Sequence, residues 1–65
     1  MINEIGIHAG TVWKFLEANG ESTLTAVVSG TGLNQPLVDR AVGWLAREGK
    51  VKLRKDNRRQ LLSLA

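Results

Sequence analysis

The chain's periodicities predict a mainly α-helical domain of three helices that closes with a small β-hairpin. Three observations carry this expectation. Apolar residues recur at helical spacing in separate stretches, glycines stand where those stretches end, and beyond Gly49 the period changes from 3.6 to 2. At 65 residues the chain makes a single domain, 1–65, which buries only about 60% of the surface its unfolded form exposes. Its 43% hydrophobic residues still suffice for a core.

The first helix is expected from about Glu4 to Asn19, with Asn3 as cap and Gly20 as stop. Ile5, Ala9, Val12, Trp13 and Leu16 form one stripe at helical spacing and are assigned to the core. Ile7, Thr11, Phe15 and Ala18 form a second stripe on the far side, which a monomer would leave partly in water, so they are expected to line a homodimer interface. Gly6 and Gly10 each cost a helix about 1 kcal/mol relative to alanine, which suggests close approach by a backbone or a large side chain, with Trp44 as candidate neighbour. His8, the one histidine, has neither a second histidine nor a cysteine near it and is read as a surface residue.

Glu21 to Thr23 suits a stub of strand, after which Ser22 or Thr23 caps a second helix of about seven residues with Leu24, Val27 and Val28 on its buried side. Gly30 is expected to end it, and Gly30, Thr31 and Gly32 make the elbow to the next helix. That next stretch, Asn34 to Gly49, has the strongest signals. Val38, Ala41, Val42 and Leu45 recur at i, i+3, i+4 and i+7, while Gln35, Pro36, Asp39, Arg40, Gly43 and Arg47 share the opposite arc. Asn34 is a good N-cap and Leu33 is placed to staple onto Val38, but Pro36 prefers the first helical position and would shift the cap to Gln35. Gly49 suits the left-handed residue that closes the helix.

From Lys50 the chain alternates, and the hairpin is assigned a four-residue loop, Asp56 to Arg59. That loop sets Leu53 opposite Leu62 and Val51 opposite Leu64, whereas a three-residue loop would turn both leucines to solvent. Leu61 is then left facing outward, and Lys50, Lys52 and Arg54 share the outer face.

The net charge of +3 is unevenly spread. Residues 1–46 are mildly acidic, whereas from Arg47 onward seven cations face two acids, a local +5. Such a cluster attracts polyanions, and equally suits a hairpin kept soluble by its charges. Without cysteine there are no disulfides, thiolate zinc sites or cysteine nucleophiles. The chain also lacks a glycine-rich phosphate loop, a metal-ligand cluster and an acid paired with a nucleophile, so no enzyme, cofactor, metal or small-molecule ligand is indicated. The opening MINEIGIHAG holds an acid and no basic segment, and no apolar run nears the roughly 18 residues of a membrane span; a soluble cytoplasmic protein is expected.

Helix, strand stub, short helix, capped helix and basic hairpin together make the layout of a winged helix-turn-helix, and Leu33, Val38, Arg40, Ala41, Leu45, Glu48, Gly49 and Val51 resemble that superfamily's pattern. More closely, Ile5-Gly6, Ala9-Gly10, Val12-Trp13, Leu16 and the run Ala41 to Val51 resemble a small prokaryotic winged-helix family of unassigned function. The resemblance spans nearly the whole chain. It implies a winged-helix fold, homodimerisation and binding of double-stranded DNA, and carries no catalytic residue over; a role in transcription regulation is expected from that DNA binding.

In such a layout the helix at about 35–48 enters the major groove and the wing, 50–64, rides the backbone. Gln35 and Arg40 are the expected base readers, since glutamine bonds adenine and arginine bonds guanine through two contacts. Lys52, Arg54, Lys55, Arg58 and Arg59 would neutralise phosphate, and Thr31 and Asn34 would hold it. Asp39, in the middle of the free face, opposes a polyanion unless it orients Arg40 or accepts from a cytosine. The competing expectation is a homodimeric protein-interaction module without DNA binding.

Overall fold

The computed structural model describes residues 4–65, so the proposed Asn3 cap lies outside the described residues. The elements follow in the order α1 (Glu4–Asn19), β1 (Ser22–Thr23), α2 (Leu24–Thr31), α3 (Gln35–Arg47), β2 (Val51–Asp56) and β3 (Arg59–Leu64). The strand stub joins the hairpin, giving a three-stranded antiparallel sheet in the order β1-β3-β2. The core lies where α1 and α3 pack on each other and on α2 and β3, around Val12, Leu16, Val27, Val38 and Leu62.

The core stripe of α1 holds from Ala9 onward: Ala9, Val12 and Leu16 are buried and Trp13 packs half-buried beside them. Ile5 departs from expectation, being 42% exposed, because the core closes over α1 only from the turn after it. His8 is half-buried, at the surface but partly covered. Gly20 takes the left-handed conformation, φ 76°, and its N–H donates to Leu16 O at 2.7 Å, which ends the helix.

The second stripe of α1 is interrupted. Ile7 is 67% exposed and Ala18 is exposed, but Phe15 is half-buried, packed on the core with its ring edge against Gly30 of α2. This also corrects the end of α2. Gly30 stays inside the helix, where its missing side chain makes room for the ring: a Cβ there would meet Phe15 Cζ at 2.8 Å and Cε1 closer still, and the stop is Gly32, two residues on, with φ 75°. Thr23 caps the helix, its Oγ1 accepting from Ala26 N at 3.1 Å.

Gly6 and Gly10 behave differently from Gly30: nothing lies within 4 Å of a Cβ built at either, so neither is a point of close approach within the chain. A matched pair of substitutions is therefore expected to move in opposite directions. Gly10→Ala should raise stability by about 0.5–1 kcal/mol through helix propensity and reduced unfolded-state entropy. Gly30→Ala gains the same propensity but should lower stability by a net of about 1 kcal/mol, because overpacking drives Phe15 off the core. Urea midpoints of the two variants check this; a stabilised Gly30→Ala would mean that the ring does not occupy that place in solution.

In α3, Asn34 is the cap, its Oδ1 accepting from Leu37 N at 3.0 Å, and Pro36 lies within the first turn without displacing it. At the far end Gly49, φ 72°, donates to Ala46 O at 3.0 Å and Lys50 N donates to Leu45 O at 2.9 Å. This paired closure turns the chain directly into β2.

The hairpin keeps the expected register, Val51 opposite Leu64 and Leu53 opposite Leu62. Its loop is shorter than expected: Asp56 pairs with Arg59, leaving Asn57 and Arg58 at the tip with Asn57 in the left-handed region at φ 58°. Loops of four and two residues share one register, since pairing one further residue on each strand removes two from the loop. Leu61 and Leu53 are the corrections. Leu61 faces away from the core yet is only 8% exposed, because on the central strand it lies between Thr23 of β1 and Arg54 of β2. Leu53 is on the core side but 48% exposed, because this part of the hairpin projects past the helices.

Candidate nucleic-acid interface

The free face of α3 follows from its periodicity. Four core residues, Val38, Ala41, Val42 and Leu45, take one side, which leaves Pro36, Arg40, Gly43 and Arg47 exposed along the opposite side with Asp39 flanking them. Gln35 is exposed at the helix start, closer to the edge of the core face than Arg40 is. Gly43, which sequence reasoning did not single out as functional, lies between Arg40 and Arg47 with open space around it. The backbone there can approach a partner without an intervening side chain.

The two residues expected to hold phosphate at the elbow have structural duties. Thr31 Oγ1 donates to Val27 O at 2.7 Å and accepts from Leu33 N at 3.3 Å, so its hydroxyl is committed within the turn. Asn34 uses Oδ1 for the cap and retains its amide N–H2 for a partner.

The pleat sorts the wing's charges. Lys52, Arg54, Asp56 and Arg59 share the outer face, Lys55 and Gln60 the other, and Arg58 sits in the tip. Two of the cations are engaged. Arg54 holds Glu21 through both its Nε, 3.1 Å from Oε2, and an Nη, 2.8 Å from Oε1, bridging the sheet from β2 over β3 to the segment before β1. Arg59 stands 3.8 Å from Asp56, a looser contact. Among the described residues these are the ion pairs, so Lys52, Lys55 and Arg58 carry their charge without an acidic partner.

The hydrogen bonds from Arg54 hold the Glu21 carboxyl below its ordinary value of 4.5, with desolvation opposing them and the guanidinium's charge adding to them. The same pair raises Arg54 further above its ordinary range. A depressed folded-state value means that the contribution to stability is present above 4.5 and fades as pH falls through the folded value. Arg54→Gln should bring the Glu21 midpoint back to about 4.5 in a carboxylate NMR titration. An unchanged midpoint would mean that the bridge does not persist in solution.

A groove of about 380 Å3 opens between the start of α2 and the hairpin tip, lined by Thr23, Leu24, Thr25, Arg58, Arg59 and Gln60. Its polar side chains include two guanidiniums, an amide and two hydroxyls, and no acid. Thr25 and Gln60 carried no signal in the sequence, because segments far apart along the chain meet there only through the pairing of β1 with β3. No group of three or more His, Asp or Glu side chains able to hold a metal ion occurs among the described residues. No described helix is long and apolar enough to cross a membrane.

Comparison with known proteins agrees with this architecture. Residues 1–64 match the family described as Winged helix-turn-helix domain (DUF2582). The uncharacterized protein MJ1608 of Methanocaldococcus jannaschii is 36% identical over 67 residues, covering 98% of this chain and 94% of that protein. Among solved structures, protein BT2368 of Bacteroides thetaiotaomicron superimposes with a TM-score of 0.87 at 30% identity, covering 94% of this chain and 74% of that one. The Zalpha domain of Carassius auratus PKZ, solved in complex with Z-DNA, superimposes with a TM-score of 0.85 at 21% identity, covering 97% and 100% of the two chains. With a winged-helix architecture and a family match over residues 1–64, this chain belongs to the winged helix-turn-helix family DUF2582.

Proposed function

We propose that this protein binds double-stranded DNA, with α3 in the major groove and the wing on the backbone, and that it acts as a transcriptional regulator in the cytoplasm. The observation that carries the reading is that α3 exposes Arg40, Gly43 and Arg47 along one side and that, among the described residues, Lys52, Lys55 and Arg58 of the hairpin that follows it have no acidic partner. Gln35 and Arg40 read base edges in this arrangement, Lys52, Lys55, Arg58 and Arg59 meet phosphate, and the Asn34 amide donates to the backbone. Arg54 contributes once a phosphate competes with Glu21 for its guanidinium. The donor-lined groove beside Arg58 and Thr25 supports the same reading, since its chemistry suits a backbone phosphate.

Fluorescence anisotropy with a random duplex across a salt series tests this. With about three to five phosphates neutralised, log affinity should fall against log salt with a slope of about −2.7 to −4.5. Because the Zalpha neighbour was solved with Z-DNA, a left-handed alternating duplex belongs in the panel. Absence of salt-dependent binding to either form would overturn the proposal.

The exposure of Ile7 at 67% favours one addition, a homodimer formed through α1 around Ile7, Thr11 and Ala18, without the Phe15 ring. Ile7→Asp should then abolish any concentration dependence of the sedimentation coefficient. If wild type sediments as a monomer at every concentration, the dimer is excluded.

A further inference from the structure

A second groove, of about 460 Å3, runs between α1 and the end of α3, away from the α3 face assigned to DNA. Ala9 and Leu45, both buried, form its floor, and Trp13 and Trp44 line it. Gly6 and Gly10 leave it open, with nothing within 4 Å of a Cβ at either position. Trp44 is 44% exposed, a large apolar side chain left beside an unfilled space. Among the described residues, the charged ones lining the groove are Lys14 and Lys50; both are exposed, neither is in an ion pair, and no acid lines it.

We propose that this groove binds a small anionic aromatic compound, a flat fused-ring body carrying a carboxylate. The volume falls in the range of small-molecule sites, which are mostly apolar with a few placed polar groups. Indoles favour offset or edge-to-face packing with another aromatic ring, and the two lysines supply charge of one sign at the rim. Gly6 to Lys14 spans about 12 Å of helix axis, the length of a bicyclic ring with its carboxylate. A second copy of the chain is disfavoured as occupant, because packing this groove on its symmetric copy would bring together charged linings that, among the described residues, are lysines alone. The proposal stands apart from DNA binding, since it uses none of the residues assigned to DNA.

The chain's two tryptophans both line this groove, so the two indole N–H resonances of the intact protein report on it directly. Titration with 2-naphthoate should shift both resonances saturably, while 2-naphthalenemethanol, which has the same rings and no charge, should bind about tenfold more weakly or less. Lys14→Glu with Lys50→Glu should weaken naphthoate by a similar factor. Gly10→Leu fills the groove where a Cβ meets nothing, so it should abolish the shifts while its melting temperature stays the same or rises. Three results would each overturn the proposal: no saturable shift at millimolar naphthoate, equal binding of the neutral analogue, or retained binding in a folded Gly10→Leu. Shifts that follow protein concentration and ignore naphthoate would also overturn it, by placing a second copy in the groove.

Discussion

Leu62→Ala is expected to lower stability by about 2–5 kcal/mol, enough to unfold much of the protein at 37 °C. Leu62 is 1% exposed on the central strand, between Ser22 and Leu53, and belongs to the same cluster as Val12, Leu16, Val38 and Leu45. Truncation removes buried methyl groups and leaves a cavity that three packed helices cannot easily close. A chain of this size commands on the order of 3–10 kcal/mol in total, so the loss is a large share of it. Leu53→Ala is the control. It lies directly across the ladder on the same face but is 48% exposed, and should cost under about 1 kcal/mol. Urea unfolding of both variants decides the matter; equal costs would show that the hairpin is not docked on the helices through Leu62.

Arg58→Ala with Arg59→Ala is expected to weaken every duplex alike and to flatten the salt dependence by about 1.8 log units per log unit of salt, or 0.9 for each phosphate contact removed. Both residues line the groove at the hairpin tip, and Arg59 is held only by the 3.8 Å contact to Asp56, so its guanidinium is available to phosphate. Affinity at low salt should fall on the order of tenfold or more. Gln35→Ala should instead change the ranking among sequences with little effect on slope, because a base contact releases no counterion. Salt titrations of the two variants separate backbone from base contacts. Unaltered binding by the double arginine variant would assign the wing's charge to solubility alone.

The difference between what was legible and what was not can be traced to particular residues. The end of α1, the extent of α3 to within a residue or two and the hairpin register were legible because each rests on contacts close along the chain: a Gly20 stop, an Asn34 cap three residues from its donor, a Gly49 closure, a period of 2 from Val51. Phe15 was misjudged because its partner, Gly30, lies fifteen positions on and has no side chain to signal a pocket. Its space becomes visible only when α1 and α2 cross. Leu61 was misjudged for a similar reason. Alternation predicts which face a strand residue takes, but whether that face is covered depends on Thr23 and Arg54 arriving on either side.

Of the candidate interface, the basic wing and the exposed arc of α3 came from charge and period alone. The engagement of Arg54 by Glu21, the commitment of Thr31 to its own turn and the groove joining Thr25 to Gln60 did not, since each depends on the three-dimensional path of the chain. The sequence by itself determined the order of elements and the hairpin's register, because these are set by short-range hydrogen bonding and by burial of one face, while it left the start of α2 and of α3 open by one residue. The tertiary structure alone decided which cations remain without partners, which glycines are filled and which are open, and where two tryptophans leave a groove. These depend on the relative placement of elements, which is set by the packing of the whole core.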